Sequence, residues 1–371
     1  MPTNSDPWQR VQQVRWYMMR CMVKLLSLTL LSVLAVNNAL CADSTIGRAY
    51  LDVSISLFKE NLPPDAKEQK ALGIYPEVRR AESRYMPTFL SLRMIQSDQW
   101  GAVRITPDQD TNAELSITAT IIESSGKVLT LHVVATDSTG RQWINQDYSA
   151  SPIDGVSLVQ SELAQDPYQH LYSELNQHLL NIYNELSAEQ ITQIKTLALL
   201  RYAASIAPDY FADYLQTDET GLTTYERVPS EDDPMLARIK EIRQHEYLFI
   251  DVVDEQYQSF YLDIKPIYDM WRTFRQDQGD RVVSYTERQA NDDNDYDRGS
   301  YYDLREDYDN FRWAKMQDEY LEELTEGFAN EVKPSDMALN ETIVNLTGTL
   351  EQQYEQWQSI LRELFQLEFG L

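Results

Sequence analysis

The acidic stretch 293–299 comes closest, in this sequence, to a pattern of side chains that binds a metal ion. Carboxylates stand at alternate positions of this stretch, and Ca²⁺ takes oxygen ligands with that spacing. An EF-hand loop also needs glycine at its sixth position and glutamate at its twelfth, where this chain has Arg298 and Leu304. Two interpretations stay open. One is a solvated acidic loop; the other is a loose divalent-cation site whose ligands are Asp293, Asp295 and Asp297.

The four histidines do not have the spacing of a metal set. His170 and His178 are eight residues apart on one predicted helix, whereas chelating pairs on a helix stand at i and i+4. No Gly-x-Ser-x-Gly nucleophile motif occurs, and the two cysteines, Cys21 and Cys41, lie in the N-terminal segment. The sequence therefore predicts no cofactor and no catalytic residue.

Two pairs of adjacent acids raise the question of glycoside hydrolysis. Asp232-Asp233 is typical of a helix N-terminus, and Glu322-Glu323 is typical of a solvated helix face. A hydrolase needs two acids that face one cleft, and adjacency in sequence does not indicate that. The alternative of an envelope hydrolase that acts on cell-wall glycan through carboxylates scattered in the sequence stays open.

The balance of charge excludes one class of partner. The chain has 371 residues and a formal net charge of −27. Binding of DNA or RNA needs clustered lysines and arginines, so we expect no nucleic-acid partner. The same acidity keeps an exported protein soluble.

Residues 1–42 have the pattern of a secretory signal peptide. Basic residues precede an apolar run at 25–36, and small residues follow it. No cysteine follows Cys41, which fits a periplasmic protein without disulfides. The alternative is that Cys41 is the lipidated first residue of an outer- or inner-membrane lipoprotein and gives peripheral membrane association. Asn38 and Leu40 depart from the usual signal for that modification.

Residues 113–148 predict a three-stranded meander. Apolar side chains alternate with hydroxyl-bearing ones over two successive runs, which is the period of strands with one dry and one wet face. Glycine turns separate the runs. The wet face carries hydroxyls and no charge, so we expect it to bind another protein surface rather than to catalyse a reaction. The candidate interaction residues are Ser116, Thr118, Thr120, Thr130 and His132.

Residues 46–186 predict an α+β domain in the order strand, helix, four strands, helix. The first strand alternates over 51–57, and the first helix begins at Pro76 with a kink or a break at Pro87. A second helix covers roughly 166–186.

Residues 187–371 predict an all-α bundle of long helices. Ser187 and Gln190 form a capping box at its start. A long helix follows Ser230 and ends at Gly279, and the acidic, tyrosine-rich segment 291–303 is a loop. The last helix is expected to begin near Ser335.

The N-terminal layout resembles the amino-terminal domain of TolB and the ABC-transport auxiliary lipoproteins. Residues 113–146 carry the resemblance, with Ser125-Gly126 and Asp137-Ser-Thr-Gly140 at the turns. The whole chain is similar to a family of uncharacterised proteobacterial exported proteins through segments 79–87 and 99–104. The resemblance implies a bacterial envelope module and no activity.

These features together predict a non-enzymatic, periplasmic or envelope-associated protein that docks another envelope protein. The cell-wall hydrolase and a divalent-cation-binding envelope protein are the alternatives.

Overall fold

A computed structural model describes residues 49–71, 74–125, 127–152, 166–230, 232–291, 334–339 and 342–370. The predicted signal peptide, the candidate cation ligands and most of segment 291–303 lie outside these residues. No helix among the described residues is both long and apolar enough to cross a membrane.

A five-stranded sheet forms the N-terminal half, as the alternating patterns predict. The strand order is β2-β1-β3-β4-β5; β1 runs parallel to both β2 and β3, and β3, β4 and β5 form the antiparallel meander. The strands are β1 (Val53–Ser56), β2 (Val103–Thr106), β3 (Leu115–Ser124), β4 (Leu129–Asp137) and β5 (Gln142–Ala150).

Two helices pack on the dry face of this sheet. They are α2 (Pro76–Gln96) and α3 (Gln169–Glu185), and a short helix, α1 (Ala66–Ala71), precedes them. Ile55, Ile117 and Leu131 lie fully buried beneath the helices, so burial of the apolar alternate residues stabilises the layer. The predicted order of strand, helix, four strands and helix is confirmed. The α2 helix is continuous through Pro87, so the predicted break there is wrong.

The chain after residue 187 contains both helices and hairpins. Ser187 and Gln190 make the predicted capping box at the start of the next helix. In order, the elements are α4 (Ala188–Ile206), α5 (Pro208–Phe211), a 3-10 turn (Ala212–Tyr214), β6 (Leu215–Thr217), β7 (Thr223–Tyr225), α6 (Pro234–Asn291), β8 (Ser335–Leu339), β9 (Thr342–Leu346) and α7 (Leu350–Phe369).

Three predictions for this region are wrong. Because β6–β7 and β8–β9 are antiparallel hairpins, the region is not all-α. The α6 helix runs through Gly279 to Asn291, since a single glycine costs a helix only about 1 kcal/mol. Ser335 begins a strand in which alternate residues are buried, and the last helix starts after a second capping box at Thr349.

Two buried clusters hold these elements together. The first lies between the sheet, α2 and α3, and it also takes in Ile191 and Ile194 of α4 and Tyr261 and Tyr268 of α6. The second packs α4, α6, α7 and the β8–β9 hairpin around the fully buried Trp357. The α4 and α6 helices therefore contribute side chains to both cores.

Candidate functional site: the polar sheet face

The wet face of the sheet is the candidate functional site, and we call it the polar sheet face. Strand register aligns its side chains in rows across the strands. Every second residue of a regular strand points to this side, and most of these residues carry hydroxyl or amide groups. Its members on the five strands are Ser54, Ser56, Arg104, Thr106, Ser116, Thr118, Thr120, Thr130, His132, Thr136, Asn145, Asp147 and Ser149.

The α6 helix covers the β1–β2 side of the polar sheet face. Arg104 of β2 donates from Nε to Asp251 Oδ1 of α6 at 2.7 Å. The Arg104 guanidinium carbon also lies 4.0 Å from the centre of the Tyr247 ring, a cation–π distance. A charged and an aromatic contact thus join α6 to the sheet at one residue.

The same helix closes the edge of the sheet at β2. Both carboxylate oxygens of Asp254 accept the backbone N–H of Ile105, at 3.1 and 3.3 Å. Burial, with a contribution from the negative charge of Asp251, raises the pKa of Asp254 to about 8. A neutral carboxyl group therefore prevails at this edge near pH 7.

A small cavity lies between α6 and the sheet, bordered by Asp52, Arg104, Asp110, Glu114 and Tyr247 among others. Its volume is about 20 Å³, and a buried water needs roughly 10–15 Å³. The cavity therefore has room for one water and not for a sugar ring.

The acids around this cavity have structural partners. Glu114 Oε2 accepts the backbone N–H of Asp52 and the Lys195 ammonium group, both at 2.8 Å. Asp52 Oδ1 accepts the backbone N–H of Ala102 at 2.9 Å. Burial raises the pKa of Asp110, partly offset by the backbone N–H of Asn112. These acids fasten the strand ends and α4 together.

Ser116 does not belong to the exposed part of the face. The alternating pattern predicts Ser116 on the interaction surface, but this residue is only 4 % exposed. It stands between Ser54 of β1 and Thr136 of β4. Its hydroxyl has no hydrogen-bond partner among the described residues. Including Ser116 in a docking surface is therefore incorrect for this fold.

The remaining four candidates lie together on the uncovered side of the face, over β3 and β4. Thr118, Thr120, Thr130 and His132 are all partly exposed. Strand β5 extends this surface: Thr130 and Ser149 hydroxyl oxygens are 2.8 Å apart, and His132 Nδ1 is 2.7 Å from Asp147 Oδ1. Asp147 gives this surface a carboxylate, so the expectation of a face without charge is wrong. We call the six residues Thr118, Thr120, Thr130, His132, Asp147 and Ser149 the hydroxyl patch.

One row of the hydroxyl patch contains the residue types of a hydrolytic triad. Thr120, His132 and Asp147 pair directly across three adjacent strands. Among the described contacts, the Thr120 hydroxyl makes no hydrogen bond to His132, so the imidazole is not placed to take its proton. His132 and Asp147 side chains are 38 % and 62 % exposed, which leaves the pair in water on an open surface. A cross-strand hydrogen bond between His132 Nδ1 and Asp147 Oδ1 accounts for this geometry.

The outer edge of the sheet is strand β5. Asn145, Gln146, Asp147 and Ser149 are exposed along it. Within the described part of the chain, no backbone hydrogen bond joins β5 to anything other than β4 and its own turn. Among the described residues the two edges of the sheet therefore differ: α6 closes β2, and the outer edge of β5 has no backbone partner.

The other sequence candidates divide into two groups. Asp293, Asp295 and Asp297 lie outside the described residues, so the cation site stays a prediction. Over the ranges that the structure does describe, no three His, Cys, Asp or Glu side chains are grouped to hold a metal ion. Asp233 Oδ1 accepts the backbone N–H groups of Met235 and Leu236, which confirms the helix-capping interpretation of that acid pair.

Sequence reasoning missed the contacts through which α6 covers the sheet. A signal was present, since the ionisable residues Arg243 and Asp254 stand beside the apolar stripe of a long amphipathic helix. An ionisable residue at such a position needs a partner when it is buried. A helical period does not reveal that these partners lie on β2 and its flanking loop.

The fold and the site define a mixed α/β protein with one polar sheet face, half covered by its own helix. A scan against protein-family models, a search of curated proteins and a search of solved structures each return no match for this chain.

Proposed function

We propose that this chain is an exported, non-enzymatic protein-interaction module of the bacterial envelope, and that the hydroxyl patch docks its partner. The observation that carries the proposal is the division of the polar sheet face. The chain covers one side with α6 through specific contacts of Arg104 and Asp254, and it leaves the other side exposed.

The composition of the hydroxyl patch supports docking of a protein. Hydroxyl and imidazole groups both donate and accept hydrogen bonds, and they lose little on transfer from water to a polar interface. Short side chains on a sheet also lose little conformational entropy when a partner orders them. The patch therefore presents a rigid surface that a partner can match.

The signal-peptide pattern of residues 1–42 and the layout shared with TolB-like domains motivate the envelope location. In this proposal Cys41 is the residue to examine for a lipid anchor.

The test is capture of partners from bacterial envelope fractions by the full chain, with crosslinking. Thr120→Arg and Thr130→Arg place a bulky cation on the hydroxyl patch, and Gln244→Arg, on the exposed side of α6, is the matched control. We expect the two patch variants to lose a partner that wild type and control retain, at unchanged melting temperature. Equal capture by all four proteins, or capture by none, would remove the support for this function.

The cell-wall hydrolase is the competing proposal. It needs two carboxyl groups that face a cleft with room for a sugar, and the cavity beside Asp52, Asp110 and Glu114 holds about one water. Incubation of the full chain with purified peptidoglycan discriminates the two, since a released product would favour the enzyme.

A further inference from the structure

We infer that strand β5 accepts an extended, basic segment of the partner as a sixth strand of the sheet. This inference rests on the proposed function and names the way in which the partner is recognised. Strand addition at a sheet edge takes its affinity from backbone hydrogen bonds and its specificity from alternate side chains.

The contrast between the two sheet edges is the first observation. At β2, the Asp254 carboxyl group of α6 accepts the outward N–H of Ile105. An exposed row of backbone groups invites pairing with another chain, and proteins usually block it. Over the residues that the structure describes, the chain blocks one edge and leaves the other without a backbone partner, and this contrast favours β5 as the edge for a partner.

The sequence of β5 is the second observation. Edge strands are protected by lysine or other charged residues, by proline, by bulges or by being very short; of these, β5 has one bulge, at Trp143, and one charged residue, Asp147. Strand β5 has nine residues, Gln142–Ala150, and contains neither lysine nor proline. Its exposed side chains are mostly uncharged amides and a hydroxyl, which tolerate a neighbouring strand. A bulge next to Trp143 confines regular pairing to the segment after it.

The negative charge of strand β5 favours a basic partner segment. Asp147 is the acidic residue of β5, with its side chain 62 % exposed, and opposite charges on directly paired residues stabilise strand pairing. A second copy of this chain would bring a net charge of −27 to the same edge, and that repulsion disfavours self-pairing. A partner segment with lysine or arginine opposite Asp147 gains this attraction and avoids the repulsion between two acidic chains.

The row that contains Asp147 extends this complementarity into the sheet. Lys59, which follows β1, bridges to Thr120, and Thr120, His132 and Asp147 pair across β3, β4 and β5. The row ends in a carboxylate at the outer edge, so a cation on the added strand would pair with Asp147. The residues two positions away on that strand would face Asn145 and Ser149, where small or hydroxyl side chains fit.

The experiment uses the full chain and a random 12-residue peptide library displayed on phage. Successive residues of a strand direct their backbone N–H groups alternately to the two sides. Of Asn145→Pro and Gln146→Pro, one therefore removes an N–H that faces β4 and the other an N–H that faces outward. The variant that retains the wild-type melting temperature serves as the edge variant.

We expect the library to yield lysine- or arginine-containing peptides that bind wild type at least about tenfold more tightly than the edge variant. Asp147→Asn should weaken these peptides by about two- to fivefold. Peptides that bind the edge variant equally, or a selected set without basic residues, would overturn the inference. A wild-type dimer in analytical ultracentrifugation that the edge variant abolishes would also overturn it, in favour of self-pairing.

If both proline variants unfold, amide hydrogen exchange of wild type with a selected peptide replaces them. Slower exchange within Ile144–Ser149 is expected, and unchanged exchange there would contradict strand addition. The proposed function and the strand inference can fail independently. If a captured envelope partner depends on Thr120 and Thr130 but not on the β5 edge, the proposed function stands and strand addition is contradicted.

Discussion

The carboxyl group of Asp254 accepts the backbone N–H of Ile105, with its two oxygens 3.1 and 3.3 Å from the nitrogen. This contact joins the middle of α6 to the edge strand β2. The carboxyl group accepts a backbone hydrogen bond that a neighbouring strand would otherwise accept, so a helix side chain closes this edge of the sheet.

Burial of the Asp254 carboxyl group predicts that stability falls as pH rises through neutrality. Burial raises the pKa of Asp254 from 3.8 to about 8, so the folded state keeps a proton that the unfolded chain loses above about pH 4. The stability from that proton is complete below pH 4 and disappears as pH approaches 8. We expect Asp254→Asn to flatten this dependence, which amounts to at most about 1.4 kcal/mol per pH unit.

Urea unfolding of both proteins at pH 5, 6.5 and 8.5 measures this effect. Glu355→Gln, at an exposed position of α7, is the control and should follow wild type. If the free energies of unfolding of wild type and Asp254→Asn change with pH in the same way, the pH dependence does not come from Asp254.

Two serines that pair in register should respond oppositely to loss of the hydroxyl. Ser54 and Ser116 face each other on β1 and β3, and both are buried. The Ser54 hydroxyl is 2.9 Å from that of Thr106, whereas no described residue bonds the Ser116 hydroxyl. Ser54→Ala should cost about 1 kcal/mol and Ser116→Ala should be neutral or stabilising, measured by chemical unfolding. Equal losses at both positions would show that Ser116 has a partner after all.

Substitution of two glycines with the same backbone conformation distinguishes the cost of backbone strain from the cost of a steric contact. Gly140 and Gly221 both have φ +87°. A Cβ at Gly140 would lie 2.5 Å from the Gly221 carbonyl oxygen, while a Cβ at Gly221 meets nothing within 4 Å. Gly221→Ala should cost about 1–2 kcal/mol from the left-handed backbone alone.

Gly140→Ala should cost a further ~1–3 kcal/mol, because the β4–β5 turn must move away from the β6–β7 turn. Thermal and urea unfolding of the two variants give the comparison. Equal costs would indicate that the two turns separate freely.

The buried ion pair of α2 should be costly to break and inexpensive to replace. Arg79 Nε lies 3.2 Å from Glu82 Oε2, with the side chains 4 % and 2 % exposed. Tyr268 of α6 donates its hydroxyl to the same carboxylate at 2.9 Å. Glu82→Ala should therefore cost about 3–5 kcal/mol, since it leaves a buried guanidinium without its acid.

The double variant Arg79→Met with Glu82→Leu should recover much of that loss, because neither charge is then buried. Arg238 and Glu241 form an exposed pair with the same i, i+3 spacing, so Glu241→Ala should change the free energy of unfolding by less than ~0.5 kcal/mol. A Glu82→Ala loss as small as that of the exposed pair would refute the role of burial.

The parts of the fold that were predictable from sequence rest on interactions between near neighbours. Alternation at 113–148 specified a meander because each strand pairs with the next across a short turn. The capping box at Ser187 and Gln190 is satisfied within four residues. The hairpin after Ser335 was missed because its alternation covers only five residues per strand and adjoins a strong helix pattern.

The sequence by itself determined that Ser116, Thr118 and Thr120 share one face of β3 and that Thr130 and His132 share one face of β4, since a regular strand has a period of two. It could not determine which of them meet solvent. Ser116 and Thr118 carry the same signal, yet one is buried and the other partly exposed. Exposure depends on which elements pack over the sheet, and α6, which crosses the sheet at β2, begins more than a hundred residues after β3. The crossing is decided by long-range packing and by charge pairs such as Arg104 with Asp251, which a local pattern does not contain.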